Sequence, residues 1–68
     1  MNEKLLLRPA EAAAILGIGK SSMYTLLARR TIPSIEIPGI QGKKIAVSDL
    51  EDFVARIRQD AIDEQAGG

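Results

Sequence analysis

The stretch from Arg8 to Tyr24 constrains the chain more than any other. Pro9 suits the first position of a helix, where its missing N–H costs nothing, and Glu11 falls in the first turn, at the positive end of the helix dipole. Pro9, Ala12, Ala13 and Leu16 recur at i, i+3, i+4 and i+7, so they form one inward face. The alanines on that face are small enough for another helix to come close. Gly17 supplies the left-handed backbone that stops a helix, and Ile18 can fold back onto the preceding turn. A second helix is predicted from about Lys20 to Arg29, with Met23, Leu26 and Leu27 buried and Ser21, Ser22, Thr25 and Ala28 facing outward.

Two short helices joined at a glycine, the second opening with small polar and basic residues, have the layout of a helix-turn-helix. In that arrangement the second helix presents its first turn to the DNA major groove. A groove about 12 Å wide admits a helix only when the side chains at its front are short, and the hydroxyls here can donate to or accept from base edges and phosphates. The first turn also leaves backbone N–H groups free for a phosphate oxygen, with Gly19 allowing close approach.

Beyond this motif the character changes. Pro33 stops helix, and Ser34-Ile35-Glu36-Ile37 alternates like a short strand. Pro38-Gly39-Ile40-Gln41-Gly42 is turn material, and Lys43-Lys44-Ile45-Ala46-Val47 returns as a second strand. The expected element is a two-stranded wing with Lys43 and Lys44 beside its tip, where positive charge reaches the DNA backbone or minor groove. The same lysines would also guard an edge strand against aggregation. Ser48-Asp49-Leu50-Glu51 reads as a capping box, with Ser48 at the N-cap. The helix behind it carries Leu50, Phe53, Val54, Ile57 and Ala61 as one apolar stripe expected to close the core, with Phe53 at its centre. The fold class is therefore mainly α with a small β-hairpin, a winged helix-turn-helix of helix-turn-helix, two-stranded wing and C-terminal helix. One domain over residues 1–62 is expected, followed by a polar, glycine-ended tail at 63–68 that frays.

A chain of 68 residues has room for one small core and no separate catalytic lobe. It has no Cys and no His, which removes disulfides, the usual zinc ligands and His-based acid–base chemistry. Nothing pairs a nucleophile with a base, so no enzymatic activity, cofactor, metal or small-molecule substrate is expected. No run approaches the roughly 18 apolar residues of a membrane span, and the N-terminus shows no basic segment followed by a long apolar stretch, so export is not expected. The expected location is the cytoplasm, at the nucleoid.

The formal net charge of zero is at first sight wrong for a nucleic-acid binder. It averages two opposite ends. Residues 1–48 hold seven Lys and Arg against three acids, a net of +4, while residues 49–68 hold two against six, a net of −4. The basic end can lie on phosphates while the acidic end faces solvent or a partner.

Glu11-Ala12-Ala13, Leu16-Gly17-Ile18, Ser22-Met23-Tyr24, Ile32-Pro33 and Ser48-Asp49-Leu50-Glu51-Asp52-Phe53, in that order and spacing, resemble the small excisionase-type winged helix-turn-helix proteins, relatives of the DNA-binding heads of MerR-type regulators. The resemblance covers about residues 5–57. It implies binding to double-stranded DNA through the second helix and the wing, often at repeated sites, and either bending of DNA during phage or mobile-element excision or repression of transcription. The expected contacts are Gly19, Lys20, Ser21, Ser22 and Thr25 in the major groove, and Tyr24, Arg29 and Arg30 on the backbone. Gln41, Gly42, Lys43 and Lys44 would contact the adjacent backbone or minor groove. Expected partners besides DNA are an integrase or further copies of the chain on adjacent sites, the acidic third helix meeting a neighbour's basic wing. A competing class is a protein-interaction module that docks on a recombinase or polymerase.

Several positions depart from the family's pattern. Arg8 and Gly19 stand where capping Ser or Thr is usual, so both N-caps are weaker. Arg30 replaces the usual glycine after the second helix and must itself adopt a left-handed or altered turn. Glu36 and Ala46 stand where the wing strands commonly carry arginine, which lowers their attraction for phosphate.

Overall fold

The computed structural model describes residues 4–67. Strand β1 (Leu6–Leu7) leads into helix α1 (Pro9–Leu16) and helix α2 (Lys20–Ala28); strands β2 (Ile35–Glu36) and β3 (Lys43–Ala46) follow, and helix α3 (Val47–Gly67) ends the chain. The winged helix-turn-helix expected from the sequence is the architecture observed, with one addition. The sheet has three strands in the order β1-β3-β2, all antiparallel, with Leu6 opposite Ala46, Leu7 opposite Ile45, Ile35 opposite Lys44 and Glu36 opposite Lys43. The Val47 N–H donates to the Leu5 carbonyl at 3.0 Å and carries the β1 ladder one step further. Two leucines give no period-2 signal, so only the long-range pairing reveals β1.

Helix α1 starts and stops for local reasons. Arg8 holds the N-cap position in extended backbone (φ −75°, ψ 156°), but an arginine side chain has no acceptor to offer the free N–H groups of the first turn. Glu11 makes the reciprocal half of the cap, accepting from the Arg8 backbone N–H at 3.0 Å, and it also pairs with the Lys4 ammonium. At the other end Gly17 is left-handed (φ 75°, ψ 29°); its N–H and that of Ile18 donate to Ala14 and Ala13 carbonyls at 3.2 and 3.0 Å. This double closure satisfies the last carbonyls of the helix and turns the chain directly into α2.

Eight side chains form the buried core: Leu7, Ala12 and Ala13, Met23 and Leu27, Ile32, Ile45, and Leu50. Every element except β2 contributes, and Met23, Ile32 and Ile45 are the large residues fully enclosed. No polar or charged side chain is buried among the described residues. Leu26, Ile18 and Phe53 pack around this centre while remaining partly exposed.

Helix α3 differs from expectation in three ways. It begins at Val47, so Ser48 lies inside the first turn rather than at the cap. It runs to Gly67, so residues 63–67 are helical rather than a frayed tail; Gly68 lies outside the described residues. Of its apolar stripe only Leu50 is buried: Phe53 is partly exposed at the core edge, and every residue from Val54 to Gln65 is exposed. The helix outruns the body it packs on, which stretches the molecule to 49 × 30 × 19 Å. The core centre is thus Met23, not Phe53: α1 packs on both α2 and the sheet, Met23 is fully enclosed beneath it, and Phe53 stays at the edge where α3 leaves β3.

Met23→Ala is expected to cost about 2–5 kcal/mol, comparable with the whole stability of a domain this small, and Phe53→Ala about half as much. Circular dichroism melts on both variants check the ranking; a larger loss at Phe53 would reverse it.

Glu11 makes stability pH-dependent. The Arg8 backbone N–H, then the Lys4 ammonium, favour its ionised form and lower its pKa from 4.5 to about 2. A carboxyl whose pKa is depressed by folding contributes stability that is complete above the unfolded value and is lost as pH falls through the folded one. Melting temperature is therefore expected to fall between about pH 4.5 and pH 2. In Glu11→Gln that part of the slope should disappear, while the melting temperature at pH 7 is lower than in the unaltered chain.

Candidate nucleic-acid interface

Met23 and Leu27 point α2 into the core, so the opposite side of the helix is fixed by the 100° step between residues. Ser21 and Thr25 fall at the middle of that outer side, with Ala28 and Arg29 a turn further along. Lys20 and Tyr24 lie on one flank and Ser22 on the other. All of them are exposed, and Tyr24 keeps 55% of its surface in solvent. The Thr25 hydroxyl donates to the Ser21 carbonyl at 3.0 Å. Its donor is therefore spent within the helix, leaving the oxygen lone pairs and the methyl group for an incoming ligand. Gly19 is the N-cap in extended backbone (φ −74°, ψ 159°) with no side-chain cap, so the first N–H groups of α2 face outward unobstructed.

The wing supplies a second group of residues. The Ile40 N–H donates to the Ile37 carbonyl at 3.0 Å, closing the turn at Pro38 and Gly39. Gly42 then takes a left-handed φ of 97°, which a side chain there would resist, and delivers the chain to Lys43 and Lys44. Tyr24, Gln41, Gly42, Lys43 and Lys44 line one groove between α2 and the wing, and Arg8, Pro9 and Ala10 complete it. Three cations and no acid border this groove. Arg8 is the residue that sequence reasoning missed as a candidate, having been read only as a poor cap. The β1–β3 pairing carries it beside the wing, and the only local signal is a cation in a position usually held by a small capping residue.

Arg30 sits elsewhere. With Ser34, Glu36 and Lys43 it borders a neighbouring groove beneath the wing, so Lys43 belongs to both. Glu36 faces Lys43 directly across the ladder, a spacing of about 5 Å at which opposite charges partly cancel each other's field. Arg30 is also the one non-glycine residue with positive φ (59°) among those described. Its N–H and that of Thr31 donate to the Leu27 and Leu26 carbonyls at 3.1 and 2.9 Å, which repeats at the end of α2 the closure seen at Gly17. The strained turn expected from the absent glycine is present, at a cost of about 1 kcal/mol. Arg29, the residue before it, is exposed at the C-cap.

The candidate residues therefore fall into three sets: the outer face of α2, the basic groove at the wing tip, and Arg30 beside Glu36. Among the described residues no group of His, Cys, Asp and Glu is arranged to hold a metal ion, and no helix is long and apolar enough to cross a membrane. The helix-turn-helix domain family model matches residues 6–58, which span β1 through the first half of α3 and include every candidate residue. No curated protein and no solved structure matches the chain.

Arg30→Gly separates strain from binding. The glycine relieves the left-handed turn and should raise the melting temperature by about 4–8 °C for each kcal/mol recovered. If the guanidinium serves binding, the more stable variant should bind DNA less tightly. A melt by circular dichroism and a titration with labelled duplex give both readings.

Proposed function

Since the chain belongs to the helix-turn-helix domain family, whose members bind DNA through this motif, we propose that α2 reads a specific double-stranded sequence in the major groove while the wing grips the neighbouring backbone or minor groove. The observation that carries this reading is the pairing of a short-chained, polar outer face on α2 with a groove of three cations, Arg8, Lys43 and Lys44, at the wing tip. The first is the shape a major groove admits, and the second is the charge a phosphate backbone attracts.

In this reading Ser21, Ser22 and Thr25 meet base edges, the Gly19–Lys20 helix start meets a phosphate, and Arg29 and Arg30 meet the backbone at the opposite end of α2. Tyr24 bridges helix and wing, with its hydroxyl free for a phosphate oxygen. Gln41, Gly42, Lys43 and Lys44 hold the next stretch of backbone, joined by Arg8. A single module of this size buries only about 600–1,000 Å² against DNA, so two or more copies act on one site.

The role we assign is that of an excision factor in a phage or mobile element, which binds and bends DNA beside an integrase. Contact on both sides of the basic groove favours a duplex curved toward the protein, because curvature brings more phosphates within reach of the wing. A small repressor of the same fold would use the same contacts on straighter DNA. Circularly permuted duplexes carrying the bound site separate the two: a mobility that changes with the position of the site supports excision, and a constant mobility supports the repressor.

The interface itself is tested by salt and substitution. Neutralising about five phosphates per copy gives a slope of log K against log salt of about −4 to −5. Lys44→Ala should weaken cognate and random DNA alike and reduce the slope by about 1. Thr25→Ala should instead reduce the preference for cognate over random DNA by about fivefold or more. Glu36→Gln, which unmasks Lys43, should tighten both. A flat salt response would count against the interface, and a docking module would bind random duplex not at all at low salt.

A further inference from the structure

The C-terminal half of α3 is a helix without support. From Val54 to Gln65 every residue is exposed, and the last turn carries no basic residue although Asp60, Asp63 and Glu64 crowd toward the negative end of the helix dipole. Arg56 donates to the Thr31 carbonyl at 3.4 Å, and a stretch of that length with so little tertiary contact is marginal in water. Yet its apolar residues keep the spacing of a seam: Leu50, Val54, Ile57 and Ala61 follow one another at intervals of four, three and four. Val54 and Ile57 are 42% and 48% exposed. Beside the seam lies an apolar groove between α1 and the first half of α3, walled by Leu7, Ile15, Leu16, Val47, Leu50 and Val54, in which Ile15 is 65% exposed.

We propose that the occupant of this groove is the C-terminal half of α3 from a second copy of the chain, the two α3 helices lying antiparallel about a two-fold axis near residues 55 and 56. The fit is self-complementary, as a two-fold contact requires: each copy has one apolar groove and one uncovered apolar helix end. Val54 meets the partner's Ile57 and Leu50 the partner's Ala61, twice over. Charge fixes the direction. Glu51 and Arg58, both at the rim of the groove, face the partner's Arg58 and Glu51 in the antiparallel arrangement. The partner's Glu64 comes to the Val47 end, where the positive end of the α3 dipole lies. In a parallel pair the acidic ends would lie side by side. A neighbour's basic wing would meet the acids but leave Val54, Ile57 and Ile15 uncovered. The apolar groove shares no residue with the basic groove at the wing tip, so both can be engaged at once.

The test uses the whole chain without DNA, so that its outcome is independent of the DNA-binding reading. Sedimentation equilibrium between about 10 and 200 µM should show a monomer–dimer equilibrium with Kd in the micromolar range. Ile57→Glu, at a position outside the core, should weaken the dimer at least tenfold with an unchanged near-native circular dichroism spectrum at low concentration. Arg58→Glu should weaken it as well, and adding Glu51→Arg should restore it. Because the chain has no cysteine, Gln65→Cys admits a single spin label. The antiparallel pair places the two labelled positions about 28 Å apart along the helix axes, a parallel pair about 10 Å. A chain that stays monomeric at 200 µM, a dimer untouched by Ile57→Glu, or a short label distance would each overturn the proposal.

Discussion

The close approach of α1 to α2 is the contact on which the rest of this small domain depends. It is possible because α1 presents two alanines, Ala12 and Ala13, where larger side chains would hold the helices apart, and Met23 fills the space between them. Methionine is suited to that position, since its unbranched chain adapts to an irregular gap. The left-handed Gly17 then sets the direction in which α2 leaves, with the Ile18 and Gly17 N–H groups tied back to α1. Since Met23 and Leu27 face inward, Ser21 and Thr25 must face outward. The outer face of α2, the candidate surface for DNA, is a consequence of how the core is packed.

The sheet performs the second positioning step. β3 lies in the middle, with Ile45 fully enclosed, and both neighbours pair with it in register. One pairing brings Arg8 from the start of the chain to the wing, and the other sets Glu36 opposite Lys43. The basic groove therefore gathers residues more than thirty positions apart, and its field depends on strand register as much as on composition. A formal net charge of zero conceals this arrangement. Cations collect at the wing tip, while most of the acids lie on α3, most of which projects away from the body.

Two features set this domain apart from an idealised version of its fold. Arg30 holds a left-handed turn that a glycine would adopt without strain. Strain of this kind persists where the surrounding structure overdetermines it, and here the bonds from the Arg30 and Thr31 N–H groups and a contact from Arg56 to the Thr31 carbonyl hold the turn in place. The other feature is the length of α3. A helix that continues well past the core it closes presents an apolar seam to solvent, and that seam is the basis for expecting a second copy.

Much of this was legible in residue order, because it is governed by local backbone chemistry. The Gly17 stop, the start of α1 at Pro9, the inward faces of α1 and α2, the bend at Arg30 and the two-stranded wing all follow from φ preferences, missing N–H groups and the 3.6-residue period. The exposed polar and basic residues of α2 and of the wing, though not Arg8, were likewise visible as residue types at helical and turn positions. Only the tertiary structure decided what those faces meet. An apolar stripe on α3 indicates a buried face but not how far the burying surface extends, and the body ends near Phe53 while the stripe continues to Ala61. Leu6 and Leu7 become a strand because Ala46 and Ile45 are available to pair with them, and Arg8 joins the basic groove for that reason alone. Periodicity records which side of an element is apolar; the reach of a neighbouring surface and the partner across a ladder are long-range properties that no local window contains.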